Sequence, residues 1–456
     1  MTFNSYPFLF GFLPVTLAGY WALRRWKLHT VWLLGMSLVF YAAAGVGYLA
    51  LLVVMTGGTY AAGRFLLTGE RNGRRKAGLA VVLANLLVLM FFKYAGLLAA
   101  PLGSDALQQV ALPLGISFYT FNLVSYGLDV YRRLIPAERS LMRFAATITF
   151  FPTILSGPLT RYAEMRGQQD TVQYDGALAL FTFTLGLAKK VLIADTLAAQ
   201  VNPLFADPAN LGMIAAWAAV LGYAYQLYFD FSGYTDMATG MAYALGFRLP
   251  QNFNAPYSAR NITEFWQKWH MTLSEWFRAY LFLPLSRTLL RRLPTHPDAV
   301  RTMSLVVTMT LTGVWHGSTW GFVLWGAYHG VLLAIHAQSR RWRWKPLPVG
   351  LARGMTFGAV LVGWVMFRAE SMEAALGLYR GMVGLNGIQR QYLWGETNPG
   401  GLILMLAALL VVTNVPRDTW GLRPRNTWWY AAAVAILLVV SVAFISQTTT
   451  FLYLQF

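Results

Sequence analysis

The chain has 456 residues, 57% hydrophobic and 12% charged, with a mean hydropathy of +0.47 and a net charge of +18. So apolar a chain cannot keep its surface out of water as a soluble domain. Apolar runs of spanning length recur throughout, so residues 1–456 read as one all-α, polytopic membrane domain. With no cysteine, a disulfide, a thiol nucleophile and an S-acyl intermediate on this chain are all excluded.

The positive charge does not point to nucleic acid. Six short connections (24–27, 64–76, 132–143, 287–301, 340–353 and 417–425) hold 24 of the 36 Lys and Arg, against four acids, Glu70, Glu138, Asp298 and Asp418. That is the bias of cytoplasmic loops lying against anionic membrane lipid.

The N-terminus has no basic region followed by a cleavage site, so Phe8–Trp21 reads as a retained first span rather than a signal peptide. Arg24, Arg25 and Lys27 follow it and place the N-terminus outside. His29–Ala44 then runs outward, and Gly47–Leu67 returns to a basic loop at Arg71–Lys76. Leu79–Ala100 leads out to a weakly acidic loop around Asp105, and Leu112–Val130 comes back to Arg132 and Arg133, its start made irregular by Pro113 and Gly115. Phe144–Leu155 is short and ends at Pro152 and Ser156-Gly157-Pro158, which fits a re-entrant segment. Lys189 and Lys190 interrupt Ala177–Leu197, so that helix is either interfacial or lines a wet path. Leu211–Phe231 and Tyr234–Phe247 are helical by composition, with a Gly-rich break predicted between them.

Next comes a predicted hairpin, entered by Thr302–Val314 and left by Thr319–Ala337, with Val314-Trp315-His316-Gly317 at its tip. Arg287, Arg291, Arg292 and Arg301 close one far end; Arg340, Arg341, Arg343 and Lys345 close the other. At 1.5 Å per residue, His316 lies roughly 22 Å into a core about 30 Å thick. Met355–Phe367 exits to an outer segment, 369–399, carrying Glu370, Glu373 and Glu396. Leu402–Val415 returns to Arg417, Arg423 and Arg425, and Trp428–Phe444 exits again. Both termini are therefore expected outside, with about ten to twelve membrane-embedded helices, re-entrant segments included. No internal repeat is visible, which weighs against an inverted-repeat transporter.

An ionisable residue at membrane depth is costly and marks a functional site by default, so His316 is the leading catalytic candidate. Imidazole, with an ordinary pKa near 6.5, suits removal of a proton from an attacking hydroxyl. On an unbroken helix over Asn261–Tyr280, Phe265, Trp269, Leu273, Trp276 and Phe277 share one face, with Glu264 and Lys268 paired on another. His270 then either points to the headgroups from an interfacial helix or stands at the cytoplasmic mouth of a reaction path. His329 and His336, seven residues apart on the return helix, serve either helix packing or the path. Tyr225–Asp236 carries Asp230, Ser232 and Asp236, which form either a buried network locking the helix break or a polar wall for the acceptor. The histidine spacing matches no compact metal site. No GxSxG elbow, Walker A loop, HExxH or EF-hand is present.

Taken in order, these motifs resemble the membrane-bound O-acyltransferase superfamily, within it the bacterial branch that acetylates exported polysaccharides such as alginate. The resemblance rests on Phe3–Phe10 with Leu13-Pro14, Leu112–Tyr119, Gly157-Pro158, Asp230–Tyr234, Asn252–Tyr257, Phe265–His270, Trp315-His316-Gly317 and Phe451–Phe456, and covers essentially the whole chain. It implies that family's fold with a central tunnel, a catalytic core over about residues 112–337, and acetyl-CoA as cytosolic donor with no permanently bound cofactor. His316 matches the family's catalytic histidine and His270 its second functional one. Asp230, Ser232, Asp236, Asn252, Asn254, Trp266, Lys268, Trp269, Trp315 and His329 are the residues expected along the path. The resemblance also implies the bacterial inner membrane, with the acyl group passed to a separate exported SGNH-type acetyltransferase and polysaccharide export machinery. D-alanyl transfer toward teichoic acid and peptidoglycan O-acetylation are the nearest alternatives. A lipid-linked sugar transporter is the alternative from another class.

Overall fold

The computed structural model describes residues 1–68, 71–103, 107, 110–170, 173–342, 344–388, 399–414, 418–445 and 451–452; Glu70, Asp105, Arg343, Glu396 and Arg417 lie outside them. Among the described residues the secondary structure is helical, with no strand. Five stretches are long and apolar enough to cross a membrane: Val46–Phe65, Gly73–Leu97, Gly176–Phe205, Trp320–Ser339 and Val349–Arg368. Shorter apolar helices follow the same composition at His29–Ala42, Gly401–Thr413 and Trp428–Ala443. The polytopic all-α class expected from composition is thus the class found.

The chain divides into two compact units. The first comprises Met1–Ala188, Gly233–Pro250 and the described part of Arg423–Gln455. In it, the helix Ile116–Tyr131 begins at Gly115, whose φ of +72° favours glycine. A β-carbon there would sit 2.9 Å from Leu155 Cα and run into the Ile154 carbonyl. The segment expected to be re-entrant is two short helices, Leu141–Ile148 and Phe151–Ile154, with residues 146–160 buried throughout. Broken backbone is thereby kept inside protein, where its polar groups find partners. Ser140 caps the first helix by accepting from the Arg143 N–H.

Two expectations fail in this part of the chain. Arg71–Lys76 is not a loop but the start of the helix Arg71–Leu102; Arg and Lys are good helix formers, and Gly73 alone costs only about 1 kcal/mol. The break predicted near Gly233 is also absent, because Met213–Ala244 is one helix of 32 residues. There the small residues serve close packing: a β-carbon on Gly186 would lie 2.6 Å from the Gly233 carbonyl oxygen, and one on Gly240 would lie 2.6 Å from Phe183 N.

The second unit comprises Lys189–Ser232 and Gln251–Leu422. Its centre is the hairpin of Pro297–His316 and Trp320–Arg341, as the hydropathy pattern predicted. The two helices meet through glycine. A β-carbon on Gly326 would lie 3.0 Å from Gly313 N, and one on Gly330 would lie 2.8 Å from Val306 Cα. Val349–Arg368 packs beside the return helix, where Gly321 faces the Met366 carbonyl.

Two further corrections fall here. The helix expected over Asn261–Tyr280 is broken into Ile262–Trp266, Met271–Phe277 and a π-helical turn at Arg278–Phe282, with His270 at φ +42° before the second piece. The stretch through Lys189 and Lys190 is neither interfacial nor wet at Lys190. It continues as a π-helical turn, Lys189–Ala194, with Lys190 fully buried.

Candidate functional site

His316 ends the first hairpin helix with 2% of its surface exposed. Its ring is walled by aromatics: Trp315 at 4.6 Å between centroids, Phe367 at 5.0 Å and Trp325 at 5.2 Å, the last in a perpendicular edge contact. Phe322, from the first turn of the return helix, lies at 6.3 Å. Gly317 makes this possible, since a side chain there would collide with the Phe322 ring.

His329 packs on the same indole. Its centroid is 5.1 Å from Trp325, 5.3 Å from Trp266 and 6.3 Å from Phe265. It is fully buried, and neither ring nitrogen meets a hydrogen-bond partner among the described residues. Gly363 admits it, because a β-carbon at that position would lie 2.6 Å from Nε2. His336, one heptad on, is only partly buried.

A cavity of about 280 Å³ lies against the first hairpin helix. It is lined from Arg301 through Leu305 and Thr308 to Thr312, and on the facing side by Trp266, Ser274, Phe277 and Arg278. Thr312 is one helical turn before His316, and Phe277 touches Trp315 at 6.3 Å. Arg301 and Arg278 thus stand among the lining residues, Arg278 paired with Glu275 at 3.3 Å, and the cavity approaches the histidine along one helix face.

His270 stands in a separate set of contacts. Asn252 Oδ1 lies 3.0 Å from His270 Nδ1 and accepts from Thr272 Oγ1 at 2.8 Å. The Phe231 ring closes on the imidazole at 4.7 Å. Reciprocal backbone bonds, Met271 N–H to Asn252 O and Asn254 N–H to Lys268 O, fasten the two segments. The interfacial reading is thus overturned: His270 is completely buried, and burial lowers its pKa to about 3. Asn254 contributes only backbone here, and its side chain is exposed. Trp269 is buried, stacked with Phe265 at 5.8 Å and packed on Trp364 at 5.0 Å.

The Glu264–Lys268 pair forms as spacing predicted, at 2.8 Å, and Lys268 Nζ also donates to Ser258 Oγ. Burial pushes the Glu264 carboxyl up, but Lys268 and the Arg260 N–H outweigh it and hold it below the usual range.

Asp230 pairs with Lys190 at 2.7 Å, and Lys190 also donates to Asp195 at 2.8 Å. Ser232 is buried, its hydroxyl without a hydrogen-bond partner among the described residues. Asp236 belongs to the first unit, where its β-carbon lies beside Gly186.

Sequence reasoning missed Asp418. It is buried, accepts from the Ala255 N–H at 3.0 Å, from Tyr228 Oη at 3.1 Å and from the Thr419 N–H at 2.6 Å, with Lys189 Nζ 3.6 Å away. Burial acts to raise its carboxyl, and Lys189 with these donors brings it below the usual range. Through Ala255, held at φ +45°, it anchors the segment that carries Asn252. Ala255 and His270 are both non-glycine residues in left-handed backbone, a strain that persists only where surroundings enforce it. Trp325 was also missed. Its only sequence signal is its place four residues before His329, facing the tip.

Comparison with known proteins places these residues in context. Residues 33–373 match the family model described as the membrane-bound O-acyltransferase family. The chain is 37% identical over 440 residues to a probable alginate O-acetylase of Azotobacter vinelandii, covering 93% of this chain and 85% of that one. It is 31% identical over 522 residues to the peptidoglycan O-acetyltransferase of Helicobacter pylori, covering 100% and 98%. The teichoic acid D-alanyltransferase of Bacillus subtilis is 31% identical over 330 residues, covering 67% and 82%. All are acyl-transferring proteins by name, and the family model spans most of the chain, so the chain belongs to the membrane-bound O-acyltransferase family and is a polytopic membrane acyltransferase.

Proposed function

We propose that the protein moves an acetyl group from cytosolic acetyl-CoA through the membrane for O-acetylation of an exported, alginate-like polysaccharide, with His316 as general base. The observation that carries this is the cavity that starts at Arg301 and Arg278 and ends one turn short of a buried, aromatic-walled imidazole. Guanidinium groups suit the phosphates of a CoA donor. Similarity to the alginate O-acetylases, at 37% identity over 93% of the chain, supports acetyl as the group carried.

The chemistry is a single displacement. His316 takes the proton of the acceptor hydroxyl, whose oxygen attacks the thioester carbon. The tetrahedral intermediate collapses, the C–S bond breaks, and the CoA sulfur leaves with the proton returned from the imidazole. Without cysteine, a covalent acyl carrier on this chain would have to be histidine or a hydroxyl, so direct attack is the simpler course. Aromatic walls around His316 exclude water, which protects the thioester from hydrolysis. His270, held by Asn252, is assigned to the same path, and Trp315, Trp266 and Trp269 to its lining. An exported SGNH-type partner receives the acyl group, and the inner membrane with both termini outward is the assigned setting.

The test is release of the CoA thiol from acetyl-CoA by the purified chain and by His316→Ala, with the exported SGNH-type partner supplied to provide the acceptor hydroxyl. Turnover should fall by about 100-fold or more, with an unchanged melting profile, while His336→Ala keeps the wild-type rate. Equal turnover in wild type and His316→Ala would remove the imidazole from the reaction. Consumption of a D-alanyl carrier-protein thioester in place of acetyl-CoA would assign the donor to the teichoic acid branch instead.

A further inference from the structure

A second cavity lies far along the chain from the histidines, in the first unit. It is a groove of about 630 Å³ between the helices Val46–Thr68 and Arg71–Leu102. Small side chains open it: Gly58, Ala61 and Ala62 on one helix, Ala77, Ala80 and Ala84 on the other. The helix Ile116–Tyr131 packs on both helices, with Tyr126 against Gly63, Gly127 against Val81 and Tyr131 against Gly78. The two helices leave most of their apolar surface uncovered, only 28% and 22% of the spans' apolar windows being buried within the protein, as suits helices facing a bilayer.

One end of this groove is strongly basic. Arg64 adjoins Phe65, the last lining residue of the first helix, and Arg74, Arg75 and Lys76 precede the lining on the second; none of the four makes an ion pair among the described residues. Tyr131 packs on Gly78, so Arg132 and Arg133 stand at that same end. Below the basic end the lining is almost wholly apolar, Asn85 and Thr59 being bonded to each other at 3.1 Å.

Apolar length and charge at one end select the occupant. From Val54 to Phe65, and from Ala77 to Val88, the groove runs about 16 Å along the helices. Its lining is almost wholly apolar over that length and open along one side, which suits hydrocarbon chains, and the charge gathered at one end suits an anionic headgroup rather than a second apolar helix. We infer that this groove binds an anionic phospholipid, its acyl chains between the two helices and its phosphate on the cluster Arg64, Arg74, Arg75 and Lys76. The site joins apolar burial to phosphate attraction, the pairing by which basic residues at a membrane surface select anionic lipid.

The experiment counts lipids on the delipidated full-length chain by native mass spectrometry, titrated with phosphatidylglycerol or phosphatidylcholine. One phosphatidylglycerol should be retained with a preference of about tenfold or more over phosphatidylcholine. Filling the groove by Ala80→Phe with Ala84→Phe should abolish its retention. Neutralising the end by Arg74→Gln, Arg75→Gln and Lys76→Gln should erase the preference while leaving the groove open, so the charge variant decides alone if the filled one does not fold. Equal retention of both lipids by the wild type, or a preference unaltered in the charge variant, would overturn the assignment. So would a co-purifying single-span peptide protected by the same residues.

Discussion

The carboxamide oxygen of Asn252 lies 3.0 Å from Nδ1 of His270, so Nδ1 is the protonated nitrogen of a neutral ring. Asn252 holds that ring by the side chain and the Met271 N–H by its own carbonyl. One residue thus sets both the tautomer and the left-handed backbone of a histidine that its neighbours bury completely.

This arrangement predicts a pH dependence of stability. Folding depresses the His270 pKa from 6.5 to about 3, so below pH 6.5 the unfolded chain binds a proton that the folded chain refuses. The contribution is intact above pH 6.5 and is lost as pH falls toward 3, at about 1.4 kcal/mol per pH unit. Melting temperature of the wild type in detergent should therefore drop more steeply from pH 6.5 to pH 5 than that of His270→Gln. Parallel slopes would mean that His270 is protonated in the folded protein.

Lys190 neutralises part of a buried cluster with Asp195 and Asp230. Lys190→Met leaves two carboxylates without their ammonium and should cost about 3–5 kcal/mol. Adding Asp195→Asn and Asp230→Asn should recover most of that loss, because the uncompensated charge is then gone. Denaturant or thermal melts of the three proteins measure it, and a triple variant no better than the single one would argue that the charges themselves matter little.

At the hairpin crossing, Gly326→Ala places a β-carbon 3.0 Å from Gly313 N and against the Met309 carbonyl. Separating the helices to admit it should cost about 1–3 kcal/mol. Gly358→Ala, on the helix Val349–Arg368, meets nothing within 4 Å and should be neutral or gain up to about 1 kcal/mol from helix propensity. The two melts should move apart; equal shifts would mean the crossing is loose.

Trp325 presses on both His316 and His329. With His316 as the base, Trp325→Leu should lower kcat by about 10–100-fold through misplacement of the imidazole. The KM for acetyl-CoA should stay within about twofold, since the indole is not in the cavity lining. A change confined to KM would instead assign Trp325 to donor binding.

Composition and hydropathy settled the class, because burial of apolar runs in a bilayer depends on each segment by itself. The hairpin of Pro297–His316 and Trp320–Arg341, its histidine tip, the irregular start at Gly115 and the Glu264–Lys268 pair were legible for the same reason: each depends on neighbours a few residues away. Tertiary structure decided the rest. The Lys190–Asp230 pair spans 40 residues and the Asp418–Ala255 bond 163, and helical periodicity carries no information about which distant segments meet. It also decided against the break at Gly233, where close packing on Gly186 favours a continuous helix, and in favour of the break before His270. Strained backbone at His270 and Ala255 costs free energy locally and is offset by Asn252 and Asp418, partners that no local reading of either segment contains.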